Sequence, residues 1–175
     1  RWMAFGAGLL LAPDMLSYHI SMIFIGIGIA TLIGNSQVII VTLVSWKLLG
    51  EKPNPAILIS LPVVMLGLVL ISGIADAEPY GEDPVKGVIF GIFTAFCYSA
   101  FLIVFRYCNK DLAPVSSVQF DATAGAAIGL LVLGVLPLSR LAVEPVDFQP
   151  TWPGHGWLML LAILSQVGGW LAVAY

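Results

Sequence analysis

Long apolar runs, separated by short polar breaks, are the dominant pattern along this chain. Each run is long enough for one membrane-spanning helix, because a helix rises about 1.5 Å per residue and the apolar core of a bilayer is roughly 30 Å thick. The runs do not alternate between apolar and polar residues, as the strands of a membrane barrel do. The pattern therefore predicts an all-α protein, a polytopic membrane bundle of six helices. The predicted spans are 2–24, 28–49, 55–74, 86–106, 115–138 and 157–175.

The breaks between the runs have the chemistry of turns and loops. Gly26 and Gly28 predict a very tight turn between the first two spans. The later breaks combine proline, glycine and charged residues, which neither continue a helix nor enter lipid readily. These breaks are GEKPNP (50–55), DAEPYGEDP (76–84), RYCNKDLAP (106–114) and the stretch 139–156.

Composition and charge agree with a membrane protein and predict its orientation. The chain is 59% hydrophobic and 10% charged, whereas a soluble domain has about 25% charged residues. Short cytoplasmic loops collect Lys and Arg, and five of the seven basic residues fall on one side of the predicted topology. We therefore expect the loops at 50–55 and 106–111 to be cytoplasmic. The five residues are Arg1, Lys47, Lys52, Arg106 and Lys110, against Lys86 and Arg140.

The most informative polar residue is Asp14, about 12 residues into the first span and close to the expected membrane midplane. A charge at this depth costs about 2.5–3.5 kcal/mol on insertion scales, so intramembrane acids usually face a bundle interior or a water-filled path. Tyr18, at i+4, shares the face of Asp14, whereas His19 is rotated away from it. Pro13 removes one helical hydrogen bond and favours a kink. Asp14 is a candidate for holding a proton or a substrate amine; a packing role for Asp14 and for His19 stays open.

Polar residues in other spans are candidates of the same kind. Asn35 lies at about the depth of Asp14, and Tyr98 lies inside the fourth span. A second interpretation is that small polar residues join helices through hydrogen bonds, which accounts for Thr42 and Ser45. Asp121 lies near a helix end, where snorkelling explains it equally well. The GxxxG spacings at 87–91 and 125–129 predict close helix packing.

The first and last spans share a short pattern. Aligning Asp14 with Gln166 places Tyr18 opposite Trp170, so each span has a polar residue followed four positions later by an aromatic ring. The two spans are predicted to cross in opposite directions. Similar helices in opposite orientation are what inverted-repeat transporters contain, and these place the substrate at the midplane between their halves.

The order of these features resembles the EamA-type domains of the drug/metabolite transporter superfamily. The resemblance rests on the D-x-x-x-Y-H pattern from Asp14 to His19, the immediate glycine turn, ATLIGNSQVI, and a helix ending LLGEKP. GVIFGIFTAFCYSAFLIVFRY resembles the opening helix of a second repeat, and LAILSQVGGWLAVAY its third helix. The chain would then be an internal piece covering helices three to eight of ten. The family often has a proline at about the position of Gln37. This chain has no proline there, so the resemblance does not predict a helix break at that position.

The resemblance implies an inverted-repeat fold and a secondary transporter of the bacterial inner membrane. Residues 1–75 would end the first repeat, 76–85 would form a periplasmic linker, and 86–175 would begin the second repeat. The expected activity is export or exchange of small metabolites or drugs by alternating access, with Asp14 coupling proton movement or recognising a positive group. The expected partners are membrane lipid and a small-molecule substrate, without nucleic acid, and both monomer and homodimer stay open. The predicted site residues are Asp14, Tyr18, His19, Asn35, Tyr98, Gln166 and Trp170.

Other classes of function are less well supported by the sequence. A non-transporting membrane subunit or sensor remains an alternative. An intramembrane enzyme would need a nucleophile–base pair or a metal cluster, and Asp14 and His19 point apart. No metal-ligand spacing, P-loop or nucleophile elbow occurs, so no cofactor and no metal are expected. Cys97 and Cys108 are about 16 Å apart at helical rise, too far for a disulfide.

Overall fold

The computed structural model describes residues 2–50, 52–71, 83–109, 114–135 and 151–169, and these form helices joined by short connections. The all-α class predicted from the sequence is confirmed, since no strand occurs in the described ranges. The helices are α1 (Trp2–Ile25), α2 (Ile27–Asn35), α3 (Gln37–Leu49), α4 (Pro55–Ile71), α5 (Pro84–Cys108), α6 (Val115–Val135) and α7 (Gly154–Leu161), followed by a π-helical segment (Ala162–Gly169).

Four stretches are long and apolar enough, by length and composition, to cross a membrane. The remaining two apolar helices, in the regions of the predicted third and sixth spans, are shorter within the described residues, which stop at Ile71 and Gly169. Large apolar side chains are exposed on every described helix, and a soluble protein rarely exposes this much contiguous apolar surface. The chain is therefore a helical membrane protein. The four stretches are Trp2–Ile25, Ile27–Lys47, Pro84–Cys108 and Ser116–Val135.

The connection between α1 and α2 is one residue long. Gly26 has φ +79°, a backbone conformation that side chains with a Cβ rarely adopt. Its N–H donates to the carbonyl oxygen of Met22 at 2.9 Å, which closes the last turn of α1. The tight glycine turn predicted from the sequence is confirmed, and it returns the chain directly alongside α1.

Contacts between the helices fix their relative directions. The Ser21 hydroxyl donates to the Gly87 carbonyl at 2.8 Å, and the Thr94 hydroxyl donates to the Asp14 carbonyl at 3.2 Å, so α1 and α5 run antiparallel. Gly8 of α1 meets Ala122 of α6, and Ala12 meets Gly129, so α1 and α6 run parallel.

The α2–α3 pair runs in the same direction as α5. A Cβ on Gly91 would lie 3.0 Å from Ile33, and the Ser99 hydroxyl lies 3.5 Å from the Gln37 carbonyl oxygen. The later residue of one helix thus meets the later residue of the other. Helix α5 is therefore flanked by α1, α2 and α3, and α1 lies between α5 and α6.

Small residues allow the central helices to approach closely. A Cβ added at Gly8 would overlap the carbonyl oxygen of Ala122, and one added at Gly125 would overlap the carbonyl oxygen of Phe5. On α5, a Cβ at Gly87 would collide with the Ile25 side chain. The two GxxxG spacings are confirmed as close-packing surfaces, each against α1, with Gly91 also packing against Ile33 of α2.

The second apolar run is divided at Ser36, which the sequence prediction of a single helix over 28–49 did not anticipate. Helix α2 ends at Asn35 and α3 begins at Gln37. The Ser36 hydroxyl donates to the Ile33 carbonyl at 2.6 Å, and the Ser36 N–H bonds the same oxygen at 3.1 Å. These bonds tighten the last turn of α2, which explains a break without proline.

Candidate functional site

Asp14 occupies the centre of α1 and faces the interior of the bundle. It is 7% exposed, and its Oδ1 atom has no hydrogen-bond partner. It is twelve positions past Trp2, about 18 Å of helical rise. A carboxyl oxygen in this position is unusual, because buried polar atoms nearly always have a partner.

The backbone of α1 stays helical around Asp14 and is bonded there by a side chain of α5. Helix α1 stays continuous through Pro13, so the proline does not end the helix. Proline removes a helical donor at this point, and the adjacent Asp14 carbonyl oxygen accepts a hydrogen bond from Thr94 of α5. Thr94 is itself buried at 5% exposure, which makes it a fixed anchor between the two helices.

Tyr18 connects α1 to α2 through a hydroxyl pair. Its Oη atom lies 2.7 Å from Oγ1 of Thr31, and Thr31 Oγ1 lies 2.7 Å from the Ile27 carbonyl oxygen. A carbonyl can only accept, so Thr31 donates to Ile27 and Tyr18 donates to Thr31. The Tyr18 ring is half-buried, one turn beyond Asp14 on the same face.

The end of α2 lies at the same level. A Cβ placed on Gly34 would be 3.7 Å from both the Tyr18 ring and the Thr94 methyl group. The next residue, Asn35, donates from Nδ2 to the Thr31 carbonyl oxygen at 2.8 Å. Tyr18, Thr94 and the last turn of α2 therefore meet in one place, which we call the Asp14 site.

Tyr98 lies on α5, one turn past Thr94. Its ring is half-buried and packs 5.8 Å from the Phe101 ring, in the apolar cluster that also contains Ala4 and Ala7. Cys97, the residue before it, forms no disulfide. Tyr98 thus lies one turn along α5 from the site, beside this cluster.

Of the remaining predicted residues, His19 turns away from Asp14, and two others cannot be placed because they fall outside the described side chains. His19 is exposed, and its Nδ1 atom bonds the Met15 carbonyl oxygen of its own helix at 2.7 Å. Gln166 lies in the π-helical segment, but its side chain is outside the described residues, as is Trp170. The predicted match between Asp14–Tyr18 and Gln166–Trp170 stays a prediction.

Sequence reasoning did not select several residues that the structure brings to the site or next to it. Thr94 and Thr31 contact Asp14 and Tyr18. Ser99 donates to Ala95 of its own helix at 2.6 Å and lies 3.5 Å from the Gln37 carbonyl oxygen of α3. A usable signal existed for α5, since Thr94 and Ser99 are small polar residues in an otherwise apolar run. By contrast, Thr42, interpreted as an interhelical contact, donates to Val38 of its own helix at 2.7 Å.

The titratable groups of the site are few. Within the described residues no group of three or more His, Cys, Asp or Glu side chains could hold a metal ion. Asp14 and His19, the pair considered for catalysis, are on opposite sides of α1. What the site offers is one buried carboxyl group halfway along a membrane helix, on the face that also carries Tyr18, with Thr94 of α5 bonded to the backbone of the same residue.

Comparison with protein-family models, with curated proteins and with solved structures gives no match to this chain.

Proposed function

We propose that the chain is the central part of a secondary transporter of the EamA type, in the drug/metabolite transporter superfamily. It would move small metabolites or drugs across the bacterial inner membrane by alternating access, with the Asp14 site at the midplane. The observation that carries the proposal is the buried carboxyl of Asp14, with an unpartnered oxygen, halfway along a membrane helix. Intramembrane acids of this kind mark substrate or proton pathways by default.

Helix directions support six crossings. Because α2–α3 and α5 run parallel, both begin on the same side of the membrane, and the chain between them must return across it. Helix α4 is the helix described in that interval, and its 17 residues rise about 26 Å. The first five predicted spans would then alternate in direction, and a sixth crossing over 157–175 would continue the order expected of two inverted repeats.

The tightened turn at Ser36 is an irregularity of the second span close to its centre, although the Ser36 backbone itself stays helical with φ −60° and ψ −14°. Irregular helices near the midplane are a recurrent feature of transporter sites. The π-helical segment at Ala162–Gly169 is a second irregular helix in the chain, and π-bulges occur frequently at functional sites. The two irregular helices fall in the second and sixth predicted spans.

Proton coupling through Asp14 follows from charge. An ionised carboxylate in the bilayer interior costs about 2.5–3.5 kcal/mol, and this cost disappears when the group takes up a proton or meets a cation. Exchange of a proton for substrate at one carboxyl would link the two fluxes without any cofactor. The Asp14 carboxylate would thus lack both a proton and a cationic partner only during the exchange itself.

The test uses the full-length protein in liposomes with a pH-sensitive dye inside. A pH gradient is imposed, pooled small metabolites are added, and proton movement is compared for the wild type and Asp14→Asn. We expect substrate-dependent proton movement in the wild type and its loss in the variant. The matched control is Asp83→Asn, the same change at an exposed helix cap, which asparagine also fills well. Unchanged movement in Asp14→Asn would rule out the coupling role.

A further inference from the structure

The three hydroxyl groups of the Asp14 site use their hydrogens within the protein, so they offer a ligand acceptors and no donors. Thr31 donates to the Ile27 carbonyl, Tyr18 donates to Thr31, and Thr94 donates to the Asp14 carbonyl. Each hydroxyl has a single hydrogen, so all three are committed to acceptors within the protein. Only oxygen lone pairs remain on these three groups for a ligand.

The other two polar groups of the site add acceptors. Asn35 uses one of its two amide hydrogens on the Thr31 carbonyl and keeps one N–H donor together with its Oδ1 acceptor. Oδ1 of Asp14 is buried without a partner, and an ionised carboxylate accepts only. A ligand that satisfies this set must therefore bring hydrogen-bond donors of its own.

Basic residues in the described part of the chain lie away from Asp14, at the ends of the helices. Lys47 and Arg106 are in the last turns of α3 and α5. Lys86 is in the first turn of α5, with Nζ 4.3 Å from the centre of the Phe24 ring, more than two turns along α1 from Asp14. An uncompensated buried carboxylate is costly, and with no basic side chain beside it in the described part of the chain the compensation is a proton or a cation from outside.

We propose that the Asp14 site binds its substrate through a cationic group that carries N–H donors, of the guanidinium or primary ammonium class. The inference specifies the substrate class of the transporter proposed above and rests on that proposal for the location of the site. Asp14 supplies the countercharge, and Tyr18, Thr31 and Asn35 accept hydrogen bonds from the same group. A quaternary ammonium ion would satisfy the charge but not the acceptors, and an anion would satisfy neither.

Three probes of matched size separate charge from hydrogen bonding: benzylguanidinium, benzyltrimethylammonium and benzenesulfonate. All keep their charge across the usable pH range. Binding is measured as the shift in unfolding temperature of the full-length protein in lipid nanodiscs, and transport as uptake into liposomes. We expect benzylguanidinium to bind roughly tenfold or more tightly than benzyltrimethylammonium, because hydrogen bonds to charged groups contribute at least that much. Benzenesulfonate should give no shift, and Asp14→Asn should abolish the preference.

A conservative variant tests the polarity directly. Thr31→Val removes the acceptor of the Tyr18 hydroxyl, which frees a donor at the site and should reduce the preference for benzylguanidinium over benzyltrimethylammonium by about tenfold. Thr42→Val is the matched control, since Thr42 makes the same bond to its own helix, to Val38 of α3 at 2.7 Å. An unchanged preference in Thr31→Val would contradict the assigned hydrogen-bond directions.

The outcomes distinguish this inference from the transporter proposal. Equal binding of the two cations, tighter binding of benzenesulfonate, or no binding of benzylguanidinium would overturn the inference. Uptake of benzenesulfonate that depends on Asp14 would overturn it while leaving the transporter proposal standing. Asp14-dependent binding of benzylguanidinium without uptake would support the inferred site and count against transport.

Discussion

At the scale of single residues, the central fact is that Asp14 is buried without a partner for Oδ1. Leaving a buried polar atom unpaired costs about 1–3 kcal/mol. The Thr94 hydroxyl, the nearest described polar contact, bonds the backbone carbonyl of Asp14 and leaves Oδ1 without a partner. The cost is understandable if the oxygen is needed for a ligand or proton that is exchanged during function.

The sequence was sufficient to predict Asp14 and Tyr18 as one face of α1. Residues four apart on a helix lie on the same side, and His19 turned outward as its spacing required. Thr31 and Thr94 could not be predicted as their partners. Helical periodicity states which side of a helix is buried but does not state which helix meets it.

The hydroxyl pair between α1 and α2 makes a measurable prediction. Tyr18→Phe removes the bond to Thr31 and should lower the free energy of unfolding by about 0.6 kcal/mol, the average for hydrogen bonds between membrane helices. Tyr107→Phe is the control, because Tyr107 is 53% exposed. Unfolding in increasing concentrations of a denaturing detergent measures the free-energy change in both variants. A double-mutant cycle of Tyr18→Phe with Thr31→Val should give a coupling energy of the same size. Additive effects would show that the two hydroxyls do not interact.

At the scale of the elements, glycine decides how closely α1 approaches α6. Gly6 and Gly8 are two residues apart on α1, yet a Cβ on Gly6 has nothing within 4 Å while one on Gly8 would overlap the Ala122 carbonyl oxygen. Spacing on α5 and α6 predicted these close approaches, since GxxxG is a pattern of packing. The matching glycine of α1 was not predicted, because it belongs to no such pair.

This contrast supplies a matched pair of variants. Gly8→Ala should destabilise the protein by about 1–3 kcal/mol, because the added methyl group forces the helices apart. Gly6→Ala should be neutral or stabilising by up to about 1 kcal/mol, since alanine favours the helix and meets no neighbour. Thermal unfolding of both variants in detergent measures the difference. Equal effects of the two substitutions would contradict the α1–α6 packing.

The break at Ser36 marks where sequence reasoning about elements was incomplete. Only three polar residues, Asn35 to Gln37, interrupt the apolar run here, and no proline or charged residue lies among them, so the sequence predicts one helix. The division depends on the Ser36 side chain, which bonds the Ile33 carbonyl and so competes with the backbone hydrogen bonds of the helix. Composition alone does not predict such a local bond. The boundaries of α1 and α5 were predicted to within two residues, because a glycine turn and prolines mark them.

At the scale of the whole molecule, the account requires six alternating crossings. The parallel arrangement of α2–α3 and α5 requires α4 to return the chain across the membrane. Asn54 precedes α4 and Asp83 precedes α5, so the two residues should lie on opposite faces. The predicted orientation places Asn54 in the cytoplasm.

Labelling from one side tests this topology. Asn54→Cys and Asp83→Cys are made separately in a background where Cys97 and Cys108 are replaced by alanine. An impermeant maleimide added outside intact cells should label the cysteine at 83 and not the one at 54, and opening the cells should expose both. Labelling of both positions in intact cells would contradict a crossing by α4.

The sequence predicted the class of the molecule well and the assembly of its helices poorly. Composition alone identified lipid as the surrounding medium, because apolar side chains far outnumber charged ones. The order in which helices pack depends on contacts between distant residues, such as Ser21 with Gly87, which no local pattern encodes.

The most direct test asks whether Asp14 is a reachable, proton-carrying group or a sealed packing residue. Membranes containing the full-length protein are treated with a hydrophobic carbodiimide, which reacts with protonated carboxyl groups in apolar surroundings, and modified residues are identified by mass spectrometry. The account predicts modification at Asp14 but not at the exposed Asp83, and protection of Asp14 by benzylguanidinium. Absence of modification at Asp14 in the folded protein would contradict the proposed site.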